Sequence, residues 1–303
     1  MNKPGEQLQK VKQLAEAGKL TRLMHNPVRY VYAMLLCRCI YPVTHKGSLK
    51  KAPLFFGGDM QVLLPAATDI YLTGGKTHDS EIRFAKYLAN HLKEGQTFLD
   101  IGAHFGYFTL LAGSIVGEKG KVVSIEPAKG TFELLQANVA GKKHIQVYHH
   151  AVSDKKEEVS FFEFPILYSE YNTLYAEQFS DSSWIKKHPP VKNAVQAVTI
   201  DSFLNEHALQ PDMIKMDIEG AEVQAITGGM DTWANTSPVV IMEYLFEKEN
   251  VSYKKAVDIL RTSGFVPHMI DENGELVRVD DISLYMKTNN TTSENVVLKK
   301  GNN

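Results

Sequence analysis

Apolar residues change their spacing along this chain, and each change predicts an element. Up to about Asn26, Leu8, Val11, Leu14 and Ala15 recur at helical spacing, and Pro27 then opens a second apolar helix ending before Pro42. Residues 54–64 read as strand, tight turn and strand, with Gly57, Gly58 and Asp59 supplying the positive dihedrals of a hairpin. Between Asp79 and Leu92, Ile82, Phe84, Ala85, Leu88 and Leu92 share one broad helical face, and Gly95 stops it.

From there strand and helix patterns alternate: 97–101, 106–116, 122–126, 131–140 and 145–152. Alternation of this kind predicts an α/β fold, a doubly wound and mostly parallel sheet with helices on both faces. Residues 213–218, 239–245, 265–270 and 282–286 supply further strands, about seven in the core, with helices starting at Glu219 and Tyr253. Two extra strands, 157–164 and 194–199, flank a polar and aromatic insertion at about 165–191, long enough to be functional or mobile. The expected organisation is an appendage of helices and a β-hairpin over 1–77, the main domain over 78–288, and a flexible tail over 289–303 rich in Asn and Thr.

Composition narrows the class. The chain has 303 residues, 44% hydrophobic and 22% charged, which excludes disordered and fibrous proteins. A formal charge of −2 gives no global attraction for nucleic acid, so none is expected as a partner. Residues 30–43 are the most apolar segment near the start, but Arg38 interrupts them and they are too short to span a bilayer; the expectation is a buried helix and no transmembrane segment. Cys37 and Cys39 are too close for a comfortable bridge, and no apolar leader follows Met1, so a cytoplasmic protein with reduced thiols is expected.

The chemistry gathers where the strand at 97–101 breaks into Gly102 and Gly106 and restarts as a helix. Gly102 permits a sharp bend, Gly106 would remove a side chain where a ligand approaches, and the new helix offers free amides. A dinucleotide fingerprint requires G-x-G-x-x-G, yet Ala103 stands where the pyrophosphate-facing glycine belongs. Asp100 before the turn also suits a ligand with positive charge better than a diphosphate. S-adenosylmethionine, with its ammonium and sulfonium, is such a ligand. Glu126, about 20 residues past the turn at the end of the next strand, stands where these sheets place a ribose-binding acid.

Residues 99–106, Leu-Asp-Ile-Gly-Ala-His-Phe-Gly, resemble the first motif of class I S-adenosylmethionine-dependent methyltransferases, and residues 212–222, Asp-Met-Ile-Lys-Met-Asp-Ile-Glu-Gly-Ala-Glu, resemble the signature of the FkbM family. The resemblance covers roughly 79–285, with the glycine turn, the acid after the second strand and the second motif in the family's order. It implies a Rossmann-like class I methyltransferase sheet and O-methylation, commonly of a hydroxyl on a sugar, glycan or other natural product.

On that reading the cofactor residues are Asp100, Gly102, Ala103, His104, Gly106, Glu126, Pro127, Ala151, Val152, Asp217 and Glu81. Asp100 is expected to face the methionine ammonium, its alternative role being to hold the loop by accepting backbone amides; Glu126 is expected to face the ribose hydroxyls, and Ala151 with Val152 the adenine. Asp217 is the leading catalytic base, followed by Glu243 and Glu219. Alternation puts Lys215, Asp217 and Glu219 on one strand face, and Glu243, an acid in an apolar strand, needs a pocket or a partner. The same carboxylates are compatible with a divalent cation, but no dedicated ligand motif is present and no metal is expected. Tyr168, Tyr171 and Asn172 are candidates for acceptor contact. Two rivals stand beside this reading: an NAD-dependent oxidoreductase, which Ala103 disfavours, and a non-catalytic S-adenosylmethionine-binding module, which the intact acids and glycines disfavour.

Overall fold

A computed structural model describes residues 4–180, 182, 184–246 and 251–301. The appendage comprises α1 (Pro4–Glu16), α2 (Lys19–His25), α3 (Pro27–Leu35), α4 (Tyr41–Thr44), the hairpin β1 (Ser48–Pro53) and β2 (Asp59–Leu64), and α5 (Thr68–Thr73). The main body runs through α6 (Asp79–His91), β3 (Thr97–Ile101), α7 (Tyr107–Val116), β4 (Lys121–Ile125), α8 (Lys129–Val139), β5 (Ile145–Tyr148), β6 (Ala151–Val152), β7 (Glu158–Glu163) and β8 (Val191–Val198). It continues with α9 (Ile200–Glu206), β9 (Met213–Met216), α10 (Glu222–Thr227), α11 (Met230–Asn235), β10 (Val239–Leu245), α12 (Val251–Thr262), β11 (Phe265–Ile270), β12 (Leu276–Arg278), α13 (Ile282–Asn289) and β13 (Ser293–Lys300).

The sheet has eight strands in the order β12-β11-β13-β10-β9-β3-β4-β5. The run from β10 to β5 is parallel, whereas β13 is antiparallel to both neighbours and β12 is antiparallel to β11. Side-chain alternation builds two cores. Phe98, Val122, Met213 and Ile241 point to the side covered by α6, α7, α8 and the appendage, and Leu99, Val123, Ile214 and Val240 to the side covered by α9, α10, α12 and α13. Chain order reverses between β3 and β9, and such a switch point opens a crevice at the carboxyl ends of the strands.

Four expectations are corrected. Residues 293–300, expected in a frayed tail, form β13 in the middle of the sheet. Their strand pattern was hidden by Glu294 and Asn295, which are buried polar residues; Glu294 is paired with Arg83 at 2.5 Å. Residues 282–286, read as a strand, begin α13: the Asp281 carboxylate accepts from the Leu284 amide at 2.9 Å, while Ile282 and Met286, one turn apart, are the buried pair. The hairpin turn starts earlier than expected, at Leu54, whose amide bonds the Gly58 carbonyl. The apolar segment 30–43 is not a buried helix, because Val31, Leu35 and Val43 lie open to solvent.

Candidate active site at the carboxyl edge of the sheet

Gly102 leaves β3 at φ 77°, and its amide and that of Ala103 donate to the Ile125 carbonyl, clamping the turn onto β4. A Cβ at Gly102 would lie 1.8 Å from the Asp217 carbonyl oxygen, so glycine is required where the turn crosses the end of β9. His104 follows at φ 51°, its amide donating to Glu126 Oε2 at 2.8 Å. The other Glu126 oxygen accepts from the Ala128 amide at 2.9 Å. Burial outweighs these two bonds and pushes the Glu126 carboxyl up to about 7.

Under the turn lies a buried ion cluster. Parallel register sets Asp100 beside Lys215, whose ammonium sits 3.3 Å from Asp100 and 3.3 Å from Asp217, and donates to the Gly102 carbonyl at 2.9 Å. Asp100 is fully buried and also accepts from Thr109 Oγ1 at 2.6 Å. It therefore does not line the cleft, contrary to the expectation that it faces a ligand; it fixes the lysine and α7 beneath the turn. Gly106 is likewise corrected. A Cβ there would meet Leu135 Cδ1 at 2.5 Å, so this glycine lets α7 approach α8 and is absent from the cleft wall. Ala103 lines a smaller adjoining cavity beside Phe108 and Asp69.

The second wall comes from the segment after β9. Here alternation fails: the strand ends at Met216, Glu219 and Gly220 take φ 52° and 95°, and the helix begins at Glu222. The turn nevertheless brings the Glu219 carboxylate to Asp217 and Glu243, with one oxygen from each within 4.8 Å of the others. Ser293 Oγ donates to Glu243 Oε1 at 2.6 Å. Burial and the neighbouring carboxylates push Glu219 well above the usual range, and burial with the Asp217 charge pushes Glu243 up to about 8. For Asp217 burial acts upward, but Lys215 and Lys76 prevail and hold it below its ordinary value.

The cleft between these walls encloses about 860 Å³ including its mouth. Strand order sets Glu243, Asp217, Gly102 and Glu126 in turn across the strand ends, and beyond Glu126 the lining becomes apolar where Ala151 packs with Phe161 and Leu174, with Pro127 and Val152 also on the wall. The opposite side carries the Asp217, Glu219 and Glu243 carboxylates, and the Lys76–Glu81 ion pair also lines the cleft. Of the expected residues, Gly102, His104, Glu126, Pro127, Ala151, Val152, Asp217, Glu219, Glu243 and Glu81 line it together. A ligand with a flat, weakly polar end and a cationic end matches this division.

The insertion forms the roof. Ser169 Oγ meets His104 Nε2 at 3.0 Å, Glu170 pairs with Lys76 at 3.2 Å, and Thr173 Oγ1 and Gln178 Nε2 each donate to the Glu219 carbonyl at 2.7 Å. Of the three insertion residues considered for acceptor contact, only Asn172 lines the cleft. Tyr168 stacks on Trp184 at 4.5 Å and 7°, and Tyr171 packs on Trp184 and Phe179, so these rings hold the roof together. Sequence reasoning missed Lys76, which pairs with Glu81 at 2.7 Å and with Glu170; its partner in the roof lies 94 residues away, and no local pattern marks it. His150 was also missed, although it adjoins Ala151 on the cleft wall.

A family model described as the methyltransferase FkbM domain matches residues 100–267. Among curated proteins, a probable cobalt-precorrin-6B C(15)-methyltransferase (decarboxylating) of Sulfurisphaera tokodaii is 46% identical over 59 residues, 20% of this chain and 31% of that protein. A protein-L-isoaspartate O-methyltransferase of Caenorhabditis elegans is 41% identical over 58 residues, 19% of this chain and 25% of that protein. The chain thus spans about a third or less of these curated relatives. Among solved structures, methyltransferase FkbM from Methylobacillus flagellatus KT aligns at 12% identity and TM-score 0.43, covering 77% of this chain and 52% of that one. An S-adenosylmethionine-dependent O-methyltransferase from Thermotoga maritima aligns at 14% and 0.40, covering 87% and 82%.

Proposed function

Since the chain belongs to the FkbM methyltransferase family, and its Rossmann-like sheet carries an acidic cleft at the switch point, we propose that it is an S-adenosylmethionine-dependent O-methyltransferase. The observation that carries this reading is the division of the cleft into an apolar end at Ala151 and Val152 and a carboxylate end at Asp217, with Glu126 between them.

When bound, S-adenosylmethionine supplies an activated methyl group on a sulfonium leaving group. The protein's residues then orient and balance charge. Ala151, Val152 and Pro127 receive the adenine, and Glu126, already committed to two amides, uses its remaining lone pairs for the ribose hydroxyls. Asp217, kept ionised by Lys215, faces the cationic methionine end, with Glu81 nearby. An alcohol becomes acidic only as its oxygen gains the new bond, so the proton acceptor must lie close to the acceptor oxygen and have a suitable pKa. Glu243, pushed up to about 8 and partnered by Glu219, fits that task better than Asp217, which the sequence alone ranked first. The acceptor class in this reading, a hydroxyl on a sugar, glycan or other natural product, comes from the family resemblance.

Titration calorimetry with S-adenosylmethionine and S-adenosylhomocysteine tests the proposal. Both bind the wild type, and Glu126→Ala, which also orphans two amides, lowers affinity by about tenfold or more. Wild-type protein that takes up neither compound overturns the reading.

A further inference from the structure

On the sheet domain, exposed large apolar side chains among the described residues are few and scattered, as on any soluble surface. On the appendage they gather. Leu20 and Met24, one turn apart on α2, are 72% and 74% exposed, and Val28, Val31 and Leu35 fall in one stripe along α3. Val43, 80% exposed, follows on α4. A helix carries such a stripe when something covers it. The rest of the fold does not, because α3 turns Ala33, on its other side, inward.

Charge singles out the same segment. Residues 17–58 contain seven lysines and arginines and no aspartate or glutamate, in a chain of net charge −2. Lys19 adjoins Leu20, Arg38 lies one turn beyond Leu35, and Lys46 follows Val43; all three are exposed. Nucleic acid would satisfy the charge but offers no apolar phase, whereas a neutral protein groove would satisfy only the apolar stripe. An anionic bilayer supplies both at one surface.

We propose that the face formed by α2, α3 and α4 docks on a membrane surface containing anionic phospholipid. The apolar stripe enters the acyl boundary, and the surrounding lysines and arginines meet the phosphates. No helix among the described residues is long and apolar enough to cross a membrane, so the contact is peripheral. Docking would also bring the cleft close to the bilayer. Asp69 of α5 lines both the inner cavity beside Asp217 and a surface cleft walled by Lys19, Arg22 and Arg38, so a single helix, roughly 10 Å across, separates the two.

Flotation of the full chain with extruded vesicles tests this, using phosphatidylcholine alone and an equimolar mixture with phosphatidylglycerol. The wild type floats with the mixture only, and added salt weakens the association. Val31→Asp/Leu35→Asp reduces the bound fraction about tenfold or more. Arg38→Glu/Lys46→Glu, which alters exposed charges alone, does the same. Circular dichroism and cooperative melting verify that both variants are folded. Absent flotation, equal flotation with phosphatidylcholine alone, or unchanged binding in the folded variants overturns the proposal. A wild-type dimer that Val31→Asp/Leu35→Asp dissociates, without flotation, assigns the face to a second copy and overturns it too. Each outcome is independent of whether S-adenosylmethionine binds.

Discussion

Two turns meet on the cleft floor, both passing through left-handed backbone and both bonded to the core and the roof, yet they present different chemistry to the cleft. The turn after β3 is bound to the core: the Gly102 and Ala103 amides reach Ile125, and the His104 amide reaches Glu126. The turn after β9 is held from two sides: the Asp217 amide donates to the Ile101 carbonyl and the Ile218 amide to Glu222, while Thr173 and Gln178 of the roof donate to the Glu219 carbonyl. The first presents mostly backbone, whereas the second presents carboxylates whose charge burial resists. The difference teaches that one cleft floor joins a turn of backbone amides and carbonyls to a turn of carboxylates packed closely enough to raise one another's proton affinity.

Damage to the turn after β3 is expected to have the largest effect. Gly102→Ala puts a methyl group inside the Asp217 carbonyl and strains a positive φ as well. A loss of roughly 4 kcal/mol or more is expected in denaturant unfolding, against a smaller loss for Gly106→Ala, which strains a φ of 91° too but whose methyl meets the Leu135 side chain and not backbone. Equal stability of Gly102→Ala and the wild type would mean the turn is not fixed by the crossing of β3 and β9.

Lys215 binds both turns, through the Gly102 carbonyl and Asp217, and pairs with Asp100 beneath them. Lys215→Met leaves Asp100 charged and buried and is expected to cost about 3 kcal/mol. Adding Asp100→Asn should restore a measurable part of that loss, because the orphaned charge disappears with it. If the double variant is no more stable than Lys215→Met alone, the lysine acts by packing and not as the tie between the turns.

The contrast between the turns also explains what the sequence made legible. The first turn announces itself because its glycines interrupt an apolar strand, and the sheet follows from regular alternation of periods. The sequence sets Asp100 at the strand end and Gly106 in the turn, but the ligand contacts expected of them are absent, since a motif marks position and not the direction in which a side chain points. Glu219 was assigned to a strand face because nothing in Ile218-Glu219-Gly220 foretells a left-handed glutamate. β13 escaped notice because its buried Glu294 depends on Arg83, 211 residues away, to be tolerated. Lys76 and the stacked roof rings are legible only in three dimensions for the same reason: partners distant in sequence decide their roles.

A pH-dependent effect examines the acidic turn alone. Glu243 is pushed up to about 8, by burial first and the Asp217 charge next. The native state therefore keeps a proton between the ordinary glutamate range and pH 8 that the unfolded chain has released, so this group lowers stability as pH rises through that window. Glu243→Gln removes the dependence. In the ligand-free protein its melting temperature should match the wild type near pH 4, then exceed it increasingly up to about pH 8, by roughly 2–4 °C for each kcal/mol of repulsion relieved. The Ser293 hydroxyl, which donates to the carboxylate at 2.6 Å, can still donate to the amide oxygen, so the comparison isolates charge. If Glu243 is also the proton acceptor, wild-type kcat/KM rises with pH until the carboxyl is ionised, and the variant loses both that limb and most of its turnover. A stability gain without loss of turnover would keep the acidic turn as an electrostatic surface and move proton removal to Asp217 or Glu219.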